Sequence, residues 1–98
     1  MSDTKYKEKS KIDVAEPKRW KVLLLNDDHT PFDFVIALLM GVFNHTVESA
    51  SVVTLQVHET GSGIAGFYDY EIAESKAIEA TSLSRENNFP LQIKIEEE

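Results

Sequence analysis

The chain contains no cysteine, which excludes disulfide stapling, zinc–thiolate coordination and thiol nucleophiles together. No apolar run approaches the ~18 residues that a membrane-spanning helix needs. Residues 1–18 are mostly Lys, Glu, Ser and Asp and lack the apolar centre of a secretory signal, so a cytoplasmic protein without a membrane partner is expected. Positive charge is also scarce: 10 basic against 17 acidic residues give a net charge of −7, to which Glu96, Glu97 and Glu98 contribute. Such a surface repels nucleic-acid phosphates and suits partners that are cationic or present an amine. No metal-protease spacing such as HExxH and no glycine-rich phosphate loop is read, so neither a metal nor a cofactor is expected. A length of 98 residues accommodates one small domain, which buries only about 60% of its unfolded surface and has little room for a large internal active site.

What is present is a regular alternation of elements. Residues 1–18 carry almost nothing to bury and are expected to form a disordered extension ahead of a folded domain over 19–98. Trp20 to Leu25 is nearly all apolar, which predicts a central strand covered on both faces and halted by Asn26-Asp27-Asp28-His29. Thr30-Pro31-Phe32-Asp33 predicts a helix start, with threonine as the cap and proline at the first helical position. Rows four apart, Phe34/Leu38/Val42 and Val35/Leu39/Phe43, give that helix a wide buried face. Thr46 is placed to cap a second helix to about Glu59. Gly61-Ser62-Gly63 predicts a turn, Ile64 to Tyr68 a second strand, and Asp69 the cap of a third helix over Tyr70 to Glu86. Ala73, Ala77 and Ala80 form a small-residue stripe on it that suits close packing. Leu91, Ile93 and Ile95 alternate with polar residues as a final strand. The expected class is α+β, a small α/β sandwich of three helices on a three-stranded antiparallel sheet in the order β-α-α-β-α-β.

Four separated motifs recur in one order: Leu25-Asn26-Asp27-Asp28-His29-Thr30-Pro31, Leu55-Gln56-Val57-His58, Glu71-Ile72-Ala73-Glu74-Ser75-Lys76 and Arg85-Glu86-Asn87-Asn88-Phe89-Pro90-Leu91. Over about residues 19 to 96 the sequence resembles the ClpS adaptor family on these motifs. The same fold is also similar to the C-terminal domain of the ribosomal stalk protein, so the motifs, not the fold, carry the functional expectation. The resemblance implies a non-enzymatic adaptor that binds substrate proteins bearing N-terminal Leu, Phe, Tyr or Trp, the N-degrons. It delivers them to the N-terminal domain of an unfoldase of the ClpA or ClpC type, for degradation by the associated Clp peptidase.

A protonated α-amine has three donors and needs convergent acceptors. Asn26, Asp27, Asp28 and His58 are the candidates, and by resemblance the asparagine and histidine serve the amine. The resemblance places Thr30, Pro31, Phe32, Val35, Thr54, Val57 and Leu91 around the bulky first side chain of the ligand. Thr54 precedes His58 by one helical turn, which puts the two on one helix face. Phe32 and Thr54 depart from the family pattern, where many relatives carry the more adaptable methionine. Glu71 and Lys76 match positions of the family's unfoldase-docking surface, and the chain is expected to be monomeric. Two other readings are weighed. Asp27 and Asp28 with His29 or His58 are the residues a small metal-dependent hydrolase would use, without a ligand motif of defined spacing. An amine-blind modulator of the unfoldase would keep the fold but not Asn26 and His58.

Overall fold

The computed structural model describes residues 18–98. The expected extension over 1–18 therefore lies, apart from Lys18, outside the described residues. The elements are β1 (Trp20–Leu25), α1 (Phe32–Phe43), α2 (Val47–Thr60), β2 (Ser62–Tyr68), α3 (Tyr70–Glu86) and β3 (Gln92–Glu97). The sheet is antiparallel throughout, with β1 in the centre and strand order β2-β1-β3. This is the α+β, β-α-α-β-α-β architecture that the pattern of the sequence predicts.

Alternation along β1 decides where the core lies. Val22 and Leu24 are fully buried and join α1 residues Leu38, Leu39 and Val42, with Ala50 and Val53 of α2, in one cluster. Ala73, Ala77 and Ala80 are buried as well, and their small side chains let α3 lie close to the layer it covers. The expectation that β1 is covered on both faces is not met. Lys21, Leu23 and Leu25 are only half-buried, in a shallow depression whose walls include Lys94 and Glu96. Lys21 pairs with Glu96 in register and lies 3.9 Å from its carboxylate. Long charged side chains shield apolar residues while their heads stay in water, so this face needs no third layer.

Three local departures from the sequence reading have identifiable causes. Pro31, not Thr30, occupies the cap position of α1, and no side chain caps the helix there. Thr30 is instead drawn to the Asp27 carboxylate, because hydrogen bonds to a charged acceptor are stronger than those to a neutral one. The run Gly61-Ser62-Gly63 is only partly a turn: Gly61 takes the left-handed conformation, φ 95°, that ends α2, and β2 begins at Ser62. Gly63 is required by close approach, since a β-carbon there would stand 2.8 Å from Val57 Cγ2 and 3.1 Å from the Val53 carbonyl. Gly61 to Gly66 even has the G-x-G-x-x-G spacing. It follows a helix and forms a strand, the reverse of the strand-to-helix context in which such glycines cradle phosphates.

The third departure is a bulge. Val22 pairs with Gly66 but Leu23 with Ile64, which leaves Ala65 unmatched in the ladder. Its carbonyl accepts from His45 Nε2 at 2.6 Å, while His45 Nδ1 lies 2.8 Å from the Ser49 hydroxyl. A carbonyl only accepts, so Nε2 carries a proton and donates it to Ala65. Ser49 also completes the capping box with Thr46 at the start of α2. The α2 N-terminus and β2 are thereby fixed to each other.

Candidate functional site

A cleft opens where the loop after β1 meets the start of α1, the second half of α2 and the residue preceding β3. It encloses about 260 Å³ of empty space, mouth included. Val35, Thr54, Val57 and Leu91 form its inner wall, each at most 5% exposed. Asn26, Asp27, Thr30, Phe32 and His58 form its outer wall. Phe32 is 46% exposed, and its ring meets the His58 imidazole edge-on with centroids 5.1 Å apart.

The loop is shaped by one carboxylate. Asp27 Oδ1 accepts from the backbone N–H groups of His29 and Thr30, both at 2.8 Å, and from the Thr30 hydroxyl at 3.0 Å. The same hydroxyl lies 2.8 Å from Oδ2. This is the turn that aspartate forms with the backbone two and three residues ahead. Burial alone would raise the Asp27 pKa, but the bonds from His29 and Thr30, aided by the nearby His29 ring, outweigh it and hold the carboxyl below its usual range. Asn26 is fixed by its backbone N–H, which donates to the Gly61 carbonyl at 2.9 Å. The Asn26 carboxamide and the His58 imidazole make no hydrogen bond among the described residues, so their polar atoms are available at the mouth.

Of the residues singled out in the sequence, the structure brings Asn26, Asp27, Thr30, Phe32, Val35, Thr54, Val57, His58 and Leu91 to one cleft. It leaves out Asp28 and Pro31, both exposed. The Asp27 turn directs its own carboxylate inward and the next one outward, and Pro31 is consumed in starting α1. Glu71 and Lys76 stand on α3, which contributes nothing to the cleft wall. Glu71 is exposed in the first turn, whereas Lys76 is half-buried and donates to the Val42 carbonyl at 2.8 Å, with its ammonium 5.5 Å from the centre of the Tyr68 ring. Lys76 thus ties α3 to the end of α1.

Sequence reasoning missed Arg85. Its Nη1 donates to the carbonyls of Phe89 and Leu91 at 3.0 and 2.8 Å and so fixes the turn that carries Leu91 into the cleft wall. Phe89 packs edge-on against Phe34 with centroids 4.8 Å apart, which ties the same turn to α1. A basic residue in the last turn of a helix signals interaction with nearby carbonyls, but not which ones. The sequence also gave no sign that Thr54 Oγ1 is buried without a hydrogen-bond partner among the described residues. Leaving a buried hydroxyl unpaired costs about 1–3 kcal/mol.

The described residues contain no group of three or more His, Cys, Asp or Glu side chains able to hold a metal ion. None of the described helices is long and apolar enough to cross a membrane.

The family model for the ATP-dependent Clp protease adaptor protein ClpS matches residues 15–94. The chain belongs to the ClpS family. A ClpS adapter protein from Campylobacter jejuni is 48% identical over 98 residues, covering both chains in full. The ClpS of Treponema denticola is 46% identical over 81 residues, 83% of this chain and 80% of its own length. Among solved structures, Agrobacterium tumefaciens ClpS2 bound to L-phenylalaninamide superposes with a TM-score of 0.82 at 42% identity. That match covers 85% of this chain and 100% of the other. ClpS proteins are adaptors of the ATP-dependent Clp protease, so the chain is a member of an adaptor family working with that machinery.

Proposed function

We propose that this ClpS family member binds substrate proteins by a free N-terminal Leu, Phe, Tyr or Trp. It delivers them, in the cytoplasm, to the N-terminal domain of a ClpA-type unfoldase. The observation that carries the reading is the division of the cleft into an inner wall that is apolar except for the Thr54 hydroxyl and a mouth with free acceptors. L-phenylalaninamide, which the Agrobacterium tumefaciens relative binds, has the same two parts: a free α-amine and a bulky apolar side chain, with an amide where a peptide would continue.

The α-amine, mostly an ammonium near neutral pH, has three donors to satisfy. The Asn26 carboxamide oxygen and a neutral His58 ring nitrogen supply two acceptors. Asp27 supplies the charge: Oδ1 accepts from two backbone N–H groups, whereas Oδ2 is approached only by the Thr30 hydroxyl, whose one proton it shares with Oδ1, and it retains a lone pair. Asp28, turned to solvent, adds only long-range attraction. The ligand side chain enters between Val35, Val57 and Leu91, and burial of one such group contributes about 1.5–3 kcal/mol. Phe32, half-exposed against His58, closes over it.

Docking to the unfoldase is assigned to the α3 surface around Glu71, with Lys76 holding the α1–α3 junction that shapes it, and residues 1–18 are assigned as the extension engaged during handover. Fluorescence anisotropy with peptides that differ only at the first residue tests the reading. Phe, Leu, Tyr and Trp peptides are expected to bind and a Val peptide to bind weakly. Absence of binding to all of them would make the chain an amine-blind modulator.

A further inference from the structure

Thr54 stands in the middle of α2, where a threonine hydroxyl ordinarily donates to the carbonyl four residues back. This chain realises that bond elsewhere three times at 2.8 Å: Ser51 to Val47, Thr60 to Gln56 and Ser84 to Ala80. Thr54 Oγ1 does not make it and has no other partner among the described residues, although the residue is only 3% exposed. Its neighbours in the inner wall, Val35, Val57 and Leu91, are all apolar. Buried polar atoms are nearly always hydrogen-bonded in native proteins, and an exception calls for an explanation, of which a partner brought by a ligand is one. A valine would fill the same volume without an orphaned hydroxyl.

We propose that the Thr54 hydroxyl is the hydrogen-bond partner of a polar atom on the ligand's first side chain, so that the cleft prefers N-terminal tyrosine to phenylalanine. The proposal rests on the N-terminus-binding reading above. Thr54 precedes His58 by four residues, which sets their β-carbons about 5–6 Å apart on one face. His58 is exposed at the mouth and Thr54 is buried in the wall. An amine held beside His58 and Asn26 therefore starts the ligand side chain at the mouth, and Thr54 lies further in, one helical turn from His58. The phenol oxygen is the atom of tyrosine farthest from its amine, and it both donates to and accepts from a hydroxyl. Phenylalanine and leucine bring only carbon to that point and leave Oγ1 unpaired. A site built around such a bond discriminates against an analogue that lacks the group.

Two variants separate the hydroxyl from its shape: Thr54→Val removes it at nearly constant volume, and Thr54→Ser keeps it. Anisotropy with peptides beginning in Tyr or Phe and otherwise identical reads the ratio of affinities. The wild-type chain is expected to favour Tyr about tenfold, the equivalent of one net hydrogen bond. Thr54→Val should bring the ratio near one through weaker Tyr binding, and Thr54→Ser should retain the preference. A ratio unchanged in Thr54→Val, with both peptides binding, overturns the proposal and leaves N-terminus binding intact. Should Thr54→Val fail to fold, the wild-type ratio decides, and a ratio at or below one overturns the proposal. Failure of the wild-type chain to bind either peptide overturns both this proposal and the reading beneath it.

Discussion

Replacing Asp27 by alanine removes the acceptor around which the loop after β1 is folded. Two backbone N–H groups and one hydroxyl lose their partner. The His29 N–H is exposed and can turn to water, but the Thr30 N–H and hydroxyl are part-buried. Only part of the nominal hydrogen-bond energy is therefore at stake, about 1–2 kcal/mol. In a domain of this size 1 kcal/mol moves the melting temperature by about 4–8 °C, so Asp27→Ala is expected to melt about 5–15 °C lower at neutral pH. Asp27→Asn, which keeps one acceptor oxygen but no charge, should fall between. The pH dependence follows from the lowered carboxyl pKa. A depressed folded value means the stabilisation is complete above the unfolded pKa of about 3.9 and is lost as pH falls through the folded one. Melting followed by circular dichroism should show a gap between wild type and Asp27→Ala that is constant from neutrality to about pH 5 and narrows below it. Equal melting temperatures at neutral pH, or a gap that persists undiminished in acid, would refute the assignment of the loop to this carboxylate.

Other substitutions probe the wall of the cleft and its mouth. Gly63→Ala drives a β-carbon against Val57 and the Val53 carbonyl; overpacking of this kind costs about 1–3 kcal/mol, and because Val57 lines the cleft, chemical denaturation and peptide affinity should both worsen. Leu91→Ala, at a site only 1% exposed, should destabilise by about 2–5 kcal/mol in urea unfolding and abolish most peptide binding. The His58 imidazole is one of the acceptors assigned to the ammonium, so His58→Ala should weaken peptide binding by about 1.5–3 kcal/mol in fluorescence anisotropy; unchanged affinity in the variant would remove His58 from the contact set.

The parts of the fold written in side-chain periodicity were legible in the sequence. Alternation in β3, the four-apart rows of α1 and the alanine stripe of α3 each report burial directly, because the periods of strand and helix fix which residues share a face. Competition between local hydrogen bonds was less legible. Thr30 looks like a helix cap until the Asp27 carboxylate is known to be within reach, and a sequence does not rank two acceptors for one hydroxyl. Likewise the near-continuous apolar run of β1 suggested two covered faces. Lys21, Lys94 and Glu96 shield the second face with their stems, and that depends on strand register, which composition does not carry. The Ala65 bulge and its bond to His45 join residues twenty apart and leave no local trace.

The cleft shows the same division. Four-residue spacing places Thr54 and His58 together, and the turn chemistry of Asn26 to His29 marks the strand end. Which of the adjacent carboxylates faces inward is decided by the loop's hydrogen bonds alone: Asp27 lines the cleft and Asp28 does not. The role of Arg85 in anchoring Leu91 and the orphaned hydroxyl of Thr54 emerge only when three elements are assembled.

Recognition of a free α-amine is the property on which adaptor function in this chain depends most directly. Isothermal titration of the wild-type chain with a peptide beginning in Phe, and with the same peptide acetylated at its N-terminus, isolates that group. Acetylation removes the charge and two of three donors, and charge-assisted bonds contribute about 1.5–3 kcal/mol each. The free peptide is predicted to bind and the acetylated one to bind more than about tenfold more weakly. Equal affinity for the two would contradict the account, because the cleft would then be reading the side chain without the amine.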